Sequence, residues 1–194
     1  MILWRRKTYR LIMGSLFPLV YYFGGKIWAI SLTSFFLAGM LFFELERRLH
    51  PGLYRWVVKH LGGLFKEKTG HLTGTTSFLL STFLIIIFLE KSIAIASLSF
   101  LVLGDGTSAI IGVKYGTIKL FKGKSLEGSL GFIAINLVFS LLLLSSTRLS
   151  LHPYVAIVGL FFGALIEALP IPIDDNLSVG LGMGLIMHLS ESFM

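Results

Sequence analysis

The sequence predicts an all-α fold: a polytopic membrane bundle of about seven transmembrane helices plus an interfacial helix, with the N-terminus in the cytoplasm. Three observations predict it. The chain is 55% hydrophobic and only 14% charged, against roughly 25% charged in soluble domains; its mean hydropathy is +0.84. Apolar runs close to the length of a bilayer span alternate with short polar stretches. The basic residues collect in alternate polar stretches, the way charge encodes topology.

With 194 residues, the chain has room for one transmembrane domain over 1–194. It contains no cysteine, which excludes a disulfide, a thiolate nucleophile and a zinc–thiolate site. A net charge of +7 raises the question of nucleic acid, but the charges lie between apolar segments rather than in one patch. The expected partner is the lipid bilayer, and no nucleic acid; a homo-oligomer stays open.

The elements follow in order. Met1–Arg10 is basic and leads into apolar Leu11–Phe23, a short span that recruits flanking residues. Pro18 and the lack of a small-x-small site argue against a cleavable signal. Gly24-Gly25-Lys26 reads as a turn and Ile27–Phe43 as the second span. From Glu44 to about His71 the chain is polar. Within it Leu53, Trp56, Val57, His60, Leu61 and Leu64 recur at helical spacing between basic residues, the pattern of a helix lying at the interface. Leu72–Leu89, Ser92–Val113, Glu127–Ser146, Pro153–Leu169 and Leu177–Met194 are the remaining spans, with a basic loop over Lys114–Lys124.

A cytoplasmic N-terminus places fourteen of the seventeen basic residues inside and leaves only Lys26, Lys91 and Arg148 outside. It also brings Glu44, Glu46, Asp105, Glu127, Glu167, Asp174 and Asp175 to the cytoplasmic side.

Asp105 is the focus. A carboxylate within an apolar segment costs roughly 3 kcal/mol or more at the bilayer centre, so it is expected to serve a site. Its neighbours Gly104 and Gly106 allow close approach of backbone or ligand, and a carboxylate there suits a hard cation such as Mg²⁺. A proton-pathway residue, or a carboxylate neutralised by a lysine, fits the same spacing. The small residues around it equally suit plain helix packing.

Lys122-Gly123-Lys124-Ser125-x-Glu127-Gly128 opens the fifth span. Free N–H groups, the helix dipole and the lysines together make a phosphate site, though no Walker pattern is present. Lipid headgroups explain the lysines as well, and capping explains Ser125 and Glu127. In Glu167-Ala168-Leu169-Pro170-Ile171-Pro172-Ile173-Asp174-Asp175-Asn176 the prolines end span six. Two adjacent carboxylates with Asn176 can ligate a nucleotide-bound cation, or one can act as general base; capping of span seven is the structural alternative. Glu44, Arg47 and Arg48 end span two, where an arginine clamps a phosphate or anchors the interface. The five histidines show no metal spacing, and no serine-hydrolase elbow occurs.

The order of these features resembles a known family. Glu44…Arg48 is followed by His71-Leu72-Thr73-Gly74, by Gly104-Asp105 with Gly112 and Lys114-Tyr115-Gly116, by Lys124-Ser125-x-Glu127-Gly128, and by Glu167…Pro170…Asp174-Asp175-Asn176. This is similar to the CTP-dependent lipid kinases: dolichol kinase, phytol kinase and the yeast-type diacylglycerol kinase. The length is nearer the latter two. The sequence departs from the family at Val179-Gly180, where a proline often follows Asp-Asp-Asn, and at Tyr9-Arg10, where a histidine often stands.

The resemblance implies transfer of the γ-phosphate of CTP to a lipid alcohol, with Mg²⁺, at the cytoplasmic face of a multi-pass cell-membrane protein. It implies catalytic roles for Asp105, Lys124 and Glu127. Gly104, Lys114, Lys122, Lys124, Ser125, Gly128 and Asn176 would bind the nucleotide, and Asp105, Asp174 and Asp175 the metal. Glu44, Arg47, Arg48 and Glu167 would line the site. A CTP-dependent cytidylyltransferase making a CDP-lipid is the nearest rival, although its glycine–histidine–glycine and Asp-Arg-x-Asp runs are absent. A transporter or proton channel would be favoured by inverted repeats, and none is evident.

Overall fold

The computed structural model describes residues 2–50, 52 and 72–194. Among these it is all-helical, with six helices: α1 (Ile2–Leu49), α2 (Gly74–Phe88), α3 (Lys91–Tyr115), α4 (Leu126–Leu144), α5 (Pro153–Ala168) and α6 (Asp175–Ser192). A 3₁₀ turn at Phe121–Gly123 lies in the α3–α4 loop, and Lys119 and Ser125 there form a single antiparallel bridge.

α1 is not straight. Gly25 sits at φ 82°, ψ −176°, a left-handed backbone that glycine adopts without a Cβ penalty. Phe17 and Phe36 would be nearly 30 Å apart along a straight helix at about 1.5 Å per residue, yet their ring centroids are 6.1 Å apart. The two arms, 2–24 and 26–49, therefore fold back on each other as a hairpin, with its turn where Gly24-Gly25-Lys26 predicts one.

The expectation of seven spans is corrected. Among the described residues three helices are long and apolar enough to cross a bilayer: the long α1 (from Lys7), α3 and α4. α2 and α5 are apolar but have only 15 and 16 residues, about 22–24 Å at the helical rise against a hydrocarbon core of about 30 Å. α6 carries Asp175, Asn176, His188 and Glu191 among its apolar residues and is not among the three. The expected interfacial helix, with Arg55, Trp56 and Lys59, lies outside the described residues.

α3 is the axis of the bundle and packs against all five other helices. From Ile93 to Leu101 it is buried on every side, as a helix apolar all round must be. Two buried side chains bond across helices: Ser97 donates to the Gly180 carbonyl at 2.8 Å, and Asn136 Nδ2 donates to the Phe100 carbonyl at 3.0 Å. Thr33 and Thr82 each bond back to the carbonyl four residues earlier, which hides a hydroxyl in an apolar helix. Glycines let α6 approach its neighbours: a Cβ on Gly180 would lie 2.7 Å from Ser81 Oγ, and one on Gly184 2.6 Å from a Leu89 methyl. The end holding the α1 turn is tied by Tyr22 Oη and Ser146 Oγ at 2.7 Å, with Arg148 stacked over Tyr22 and Phe23. At the opposite end the charged residues gather.

Candidate functional site

Asp105 lies ten residues before the end of α3, about 15 Å along the axis, and its side chain is 30% exposed. Two cations from the N-terminal arm of α1 meet it. Lys7 Nζ stands 2.9 Å from Asp105 Oδ2 and also donates to the Asp105 carbonyl at 3.2 Å. Arg10 Nη1 stands 3.2 Å from the same Oδ2. Lys7 is buried, so each charge there is tolerated only because the other is present. Arg10 also donates to Asn176 Oδ1. Asn176, buried at the start of α6, donates in turn to the Gly74 carbonyl at 3.1 Å and to Asp174 Oδ1 at 2.7 Å. One network thus joins α1, α3, the start of α2 and the start of α6.

A second cluster adjoins it. Lys124 Nζ lies 3.1 Å from Asp175 Oδ2 and 3.5 Å from Glu167 Oε1, and it donates to the Glu167 carbonyl. The two clusters are electrostatically in reach of each other: the Lys124 charge acts on Asp105, and the Asp105 charge acts on Glu167. The adjacent Asp174 and Asp175 belong one to each cluster. Asp174 caps α6 by accepting from the Asn176 N–H at 3.0 Å, while Asp175 is 52% exposed. The α5 helix ends before Pro170 and Pro172, which turn the chain and bring Glu167 and Asp175 to either side of Lys124.

Beside Asp105 a cavity of about 100 Å³ opens between the two arms of α1, α2 and α3. Tyr9, Arg10, Thr75, Asp105 and Asn176 form its polar end; Met13, Phe17, Phe36, Phe78, Leu101 and Val102 line the rest. A Cβ on Gly106 would meet nothing within 4 Å, so open space also adjoins Asp105 on its own helix.

Asp105, Lys124, Glu167, Asp174, Asp175 and Asn176, six of the residues expected at a site, are therefore brought together. Others are placed elsewhere. Gly104 faces away into the core, where a Cβ would lie 2.2 Å from the Phe132 ring. Gly128 meets the Ser108 carbonyl, 2.8 Å from its would-be Cβ; it serves the α3–α4 crossing. Ser125 is buried and caps α4, its Oγ accepting from the Gly128 N–H at 3.2 Å. Glu127 holds the α3–α4 loop: one carboxylate oxygen accepts from the Thr117 and Ile118 N–H groups at 3.0 and 3.1 Å and from the Thr117 hydroxyl. Lys114 is exposed, with its ammonium 5.0 Å from the Tyr115 ring centroid. The Lys122 side chain lies outside what is described.

Glu44, buried at the end of α1, accepts from the Thr73 N–H at 2.6 Å and the Thr76 hydroxyl at 3.0 Å. Its other oxygen pairs with Arg47 Nη2 at 2.7 Å. It thereby caps α2 with negative charge at the helix N-terminus, a favourable placement. Arg48 is exposed.

Lys7 and Arg10 are the residues that sequence reasoning missed, because basic residues before a first span read as topology signals. The available signal was their spacing: three apart, they share one helix face and lead directly into an apolar arm.

The carboxylates do not form a metal cage. Among the described residues no three His, Asp or Glu side chains could hold an ion together, and Asp105, Asp174 and Asp175 are each engaged by a different partner. Mg²⁺ commonly binds through one or two carboxylates plus substrate phosphates. Asp174 and Asp175 are the adjacent pair that could add one or two carboxylate ligands to an ion carried on phosphate oxygens.

Comparison with known proteins gives two relatives. An uncharacterized protein of Rickettsia prowazekii (strain Madrid E) is 27% identical over 184 residues, 91% of this chain and 89% of that protein. A soybean (Glycine max) protein named "Probable phytol kinase 1, chloroplastic" is 37% identical over 105 residues, 47% of this chain; the shared stretch spans only 34% of the soybean protein. No family model and no solved structure matches the chain.

Proposed function

We propose that the chain is an integral-membrane kinase that transfers the terminal phosphoryl group of CTP to the hydroxyl of a lipid alcohol at the cytoplasmic face. The observation that carries this reading is the position of Asp105. One carboxylate stands where two cations, a second charged cluster and an apolar cavity within the helices meet. A lipid hydroxyl and a polyphosphate can both reach such a point. The partial similarity to the soybean phytol kinase supports a kinase, and the charge asymmetry of the loops supports a cytoplasmic site.

Phosphoryl transfer asks for positioning and charge neutralisation rather than covalent catalysis. In this reading Lys7, Arg10 and Lys124 take the phosphate oxygens. A triphosphate drawing Lys7 and Arg10 toward itself leaves the Asp105 carboxylate free to accept the hydroxyl proton. The hydroxyl oxygen then attacks the γ-phosphorus, the bond to the β-phosphate oxygen breaks, CDP leaves, and Asp105 returns its proton to solvent. Mg²⁺ carried on the phosphates would neutralise developing charge, with Asp174 and Asp175 as its protein ligands.

The test is to incubate the purified protein in nanodiscs with CTP or ATP labelled at the γ-phosphate and a panel of lipid alcohols. Labelled lipid phosphate with CDP release is expected. Pyrophosphate release would identify a cytidylyltransferase instead, and transfer to no alcohol would end the kinase reading.

A further inference from the structure

We infer that a second groove, between the first arm of α1, α3 and α4, holds an acyl chain of an anionic phospholipid whose headgroup phosphate is gripped by Arg148. The groove shares no lining residue with the cavity beside Asp105, so this site is separate from the proposed kinase chemistry.

The groove follows from how the helices pack. α1 and α4 both pack on α3 and not closely on each other, which leaves a furrow of about 350 Å³ along α3. Ile95, Ser99 and Leu143 are buried at its floor, while Leu19, Phe23 and Leu142 stand exposed along its sides. From Ser15 to Phe23 on α1 and from Leu103 to Ile95 on α3 it runs about 12 Å at the helical rise. Its walls are the three helices that, among the described residues, are long and apolar enough to cross a bilayer. A furrow between such helices faces lipid tails rather than water. Ser15 and Ser146 on its lining are already engaged, by the Leu11 carbonyl and the Tyr22 hydroxyl.

An apolar furrow alone would take any tail; its end is what selects. Tyr22 and Phe23 line it where α1 turns, and the Arg148 guanidinium stands 5.7 and 5.9 Å from their ring centroids. The Arg148 backbone N–H donates to Ser146 Oγ at 3.3 Å, so the backbone and the two rings together fix where the cation sits. Arg148 is exposed, and among the described residues no carboxylate pairs with it. Lys26, at the same end, is engaged by the Ile87 carbonyl at 2.9 Å. A guanidinium stacked on rings keeps its N–H edge for a forked acceptor, and phosphate matches that fork. A phospholipid with net negative charge neutralises the cation and lays a tail in the furrow below it. A zwitterionic lipid brings its own ammonium to compete for the phosphate.

The test uses the full chain in nanodiscs, phosphatidylglycerol carrying a diazirine in one acyl chain, and peptide mapping. Label is expected on 15–23, 95–103 or 139–146. Unlabelled phosphatidylglycerol should displace it roughly tenfold better than phosphatidylcholine, the scale of one hydrogen bond to a charged group. Arg148→Gln should erase that preference and Arg148→Lys should keep part of it, in proteins that elute as the wild type. Equal competition by the two lipids in the wild type, or a preference untouched by Arg148→Gln, overturns the role of Arg148. Label spread over exposed apolar positions elsewhere, such as Phe35 and Leu185, overturns the groove. The chain has no cysteine, so Leu142→Cys sets a single thiol on the furrow's side. No disulfide-linked dimer is expected in the bilayer; efficient dimer formation would put a second copy of the chain in the furrow and overturn the lipid assignment.

Discussion

Around Asp105 the side chains that meet are long and charged, and open space lies beside them. Two turns further along α3, around Gly112 and Gly116, the residues that meet are the smallest, and the space is filled. A Cβ on Gly116 would lie 2.3 Å from the Gly112 carbonyl and 2.6 Å from Ser125 Oγ. Both regions carry glycine beside polar residues, and only their partners tell them apart. In the first, a carboxylate costly to desolvate is held by two cations beside an open cavity. In the second, glycines and serines bring α3 and α4 into contact, and nothing there is free to bind. Even the two glycines flanking Asp105 divide this way, Gly106 toward open space and Gly104 onto the Phe132 ring.

The sharpest way to break this contrast is at Asp105. Asp105→Asn keeps the shape of the side chain and removes its charge and basicity. Phosphotransfer should fall by roughly 10²-fold or more, the scale of losing a preorganised electrostatic group, in a protein that still inserts and elutes as the wild type. Retained activity in that protein would return Asp105 to a structural ion pair.

Next come its partners. Arg10→Ala and Lys7→Ala should each lower kcat/KM by roughly 10- to 100-fold, with part of the loss in KM for the nucleotide. If these cations only neutralise Asp105, the loss would appear as lower stability with nucleotide KM unchanged, and the double variant with Asp105→Asn would recover it.

The packing region answers to a different assay. Gly104→Ala drives a methyl into the Phe132 ring, and overpacking of this kind costs typically 1–3 kcal/mol. The thermal midpoint should drop while activity per folded molecule persists. Adding Phe132→Leu should restore part of the midpoint, because the two positions are in contact. Activity lost at full stability would instead put Gly104 back in a nucleotide site.

How far the sequence alone reaches is visible in the same residues. The helices are legible because apolar runs and Pro or Gly punctuation mark them: Pro153 begins α5, Pro170 follows its end, and Gly25 turns α1. Asp105, Lys124 and Asp174-Asp175-Asn176 are legible because charge in an apolar chain demands a reason. The pairing of Lys7 with Asp105, 98 residues apart, is not legible, because it depends on how the first arm of α1 lies on α3. Nor is the fate of Ser125, Glu127 and Gly128. A helix N-terminus with Ser, Glu and Gly reads the same whether its N–H groups wait for phosphate or are already capped. The span count fails for a related reason: apolar character shows that a helix is shielded from water and does not say whether lipid or protein does the shielding.

The last test concerns that ambiguity at Glu127. Its carboxylate accepts from two backbone N–H groups and one hydroxyl of the α3–α4 loop, so its hydrogen-bonding capacity is directed at Thr117 and Ile118 rather than at the Asp105 cavity. Glu127→Gln preserves an acceptor oxygen for those donors and removes basicity. A general base lost this way would lower the rate by roughly 10²–10⁴-fold, whereas a loop anchor replaced by its amide should leave it within about twofold. The loop itself should loosen, read as faster amide exchange at Thr117 and Ile118. Should the rate collapse while exchange there stays slow, Glu127 would belong with Asp105, and the two ends of the contrast would merge into one site.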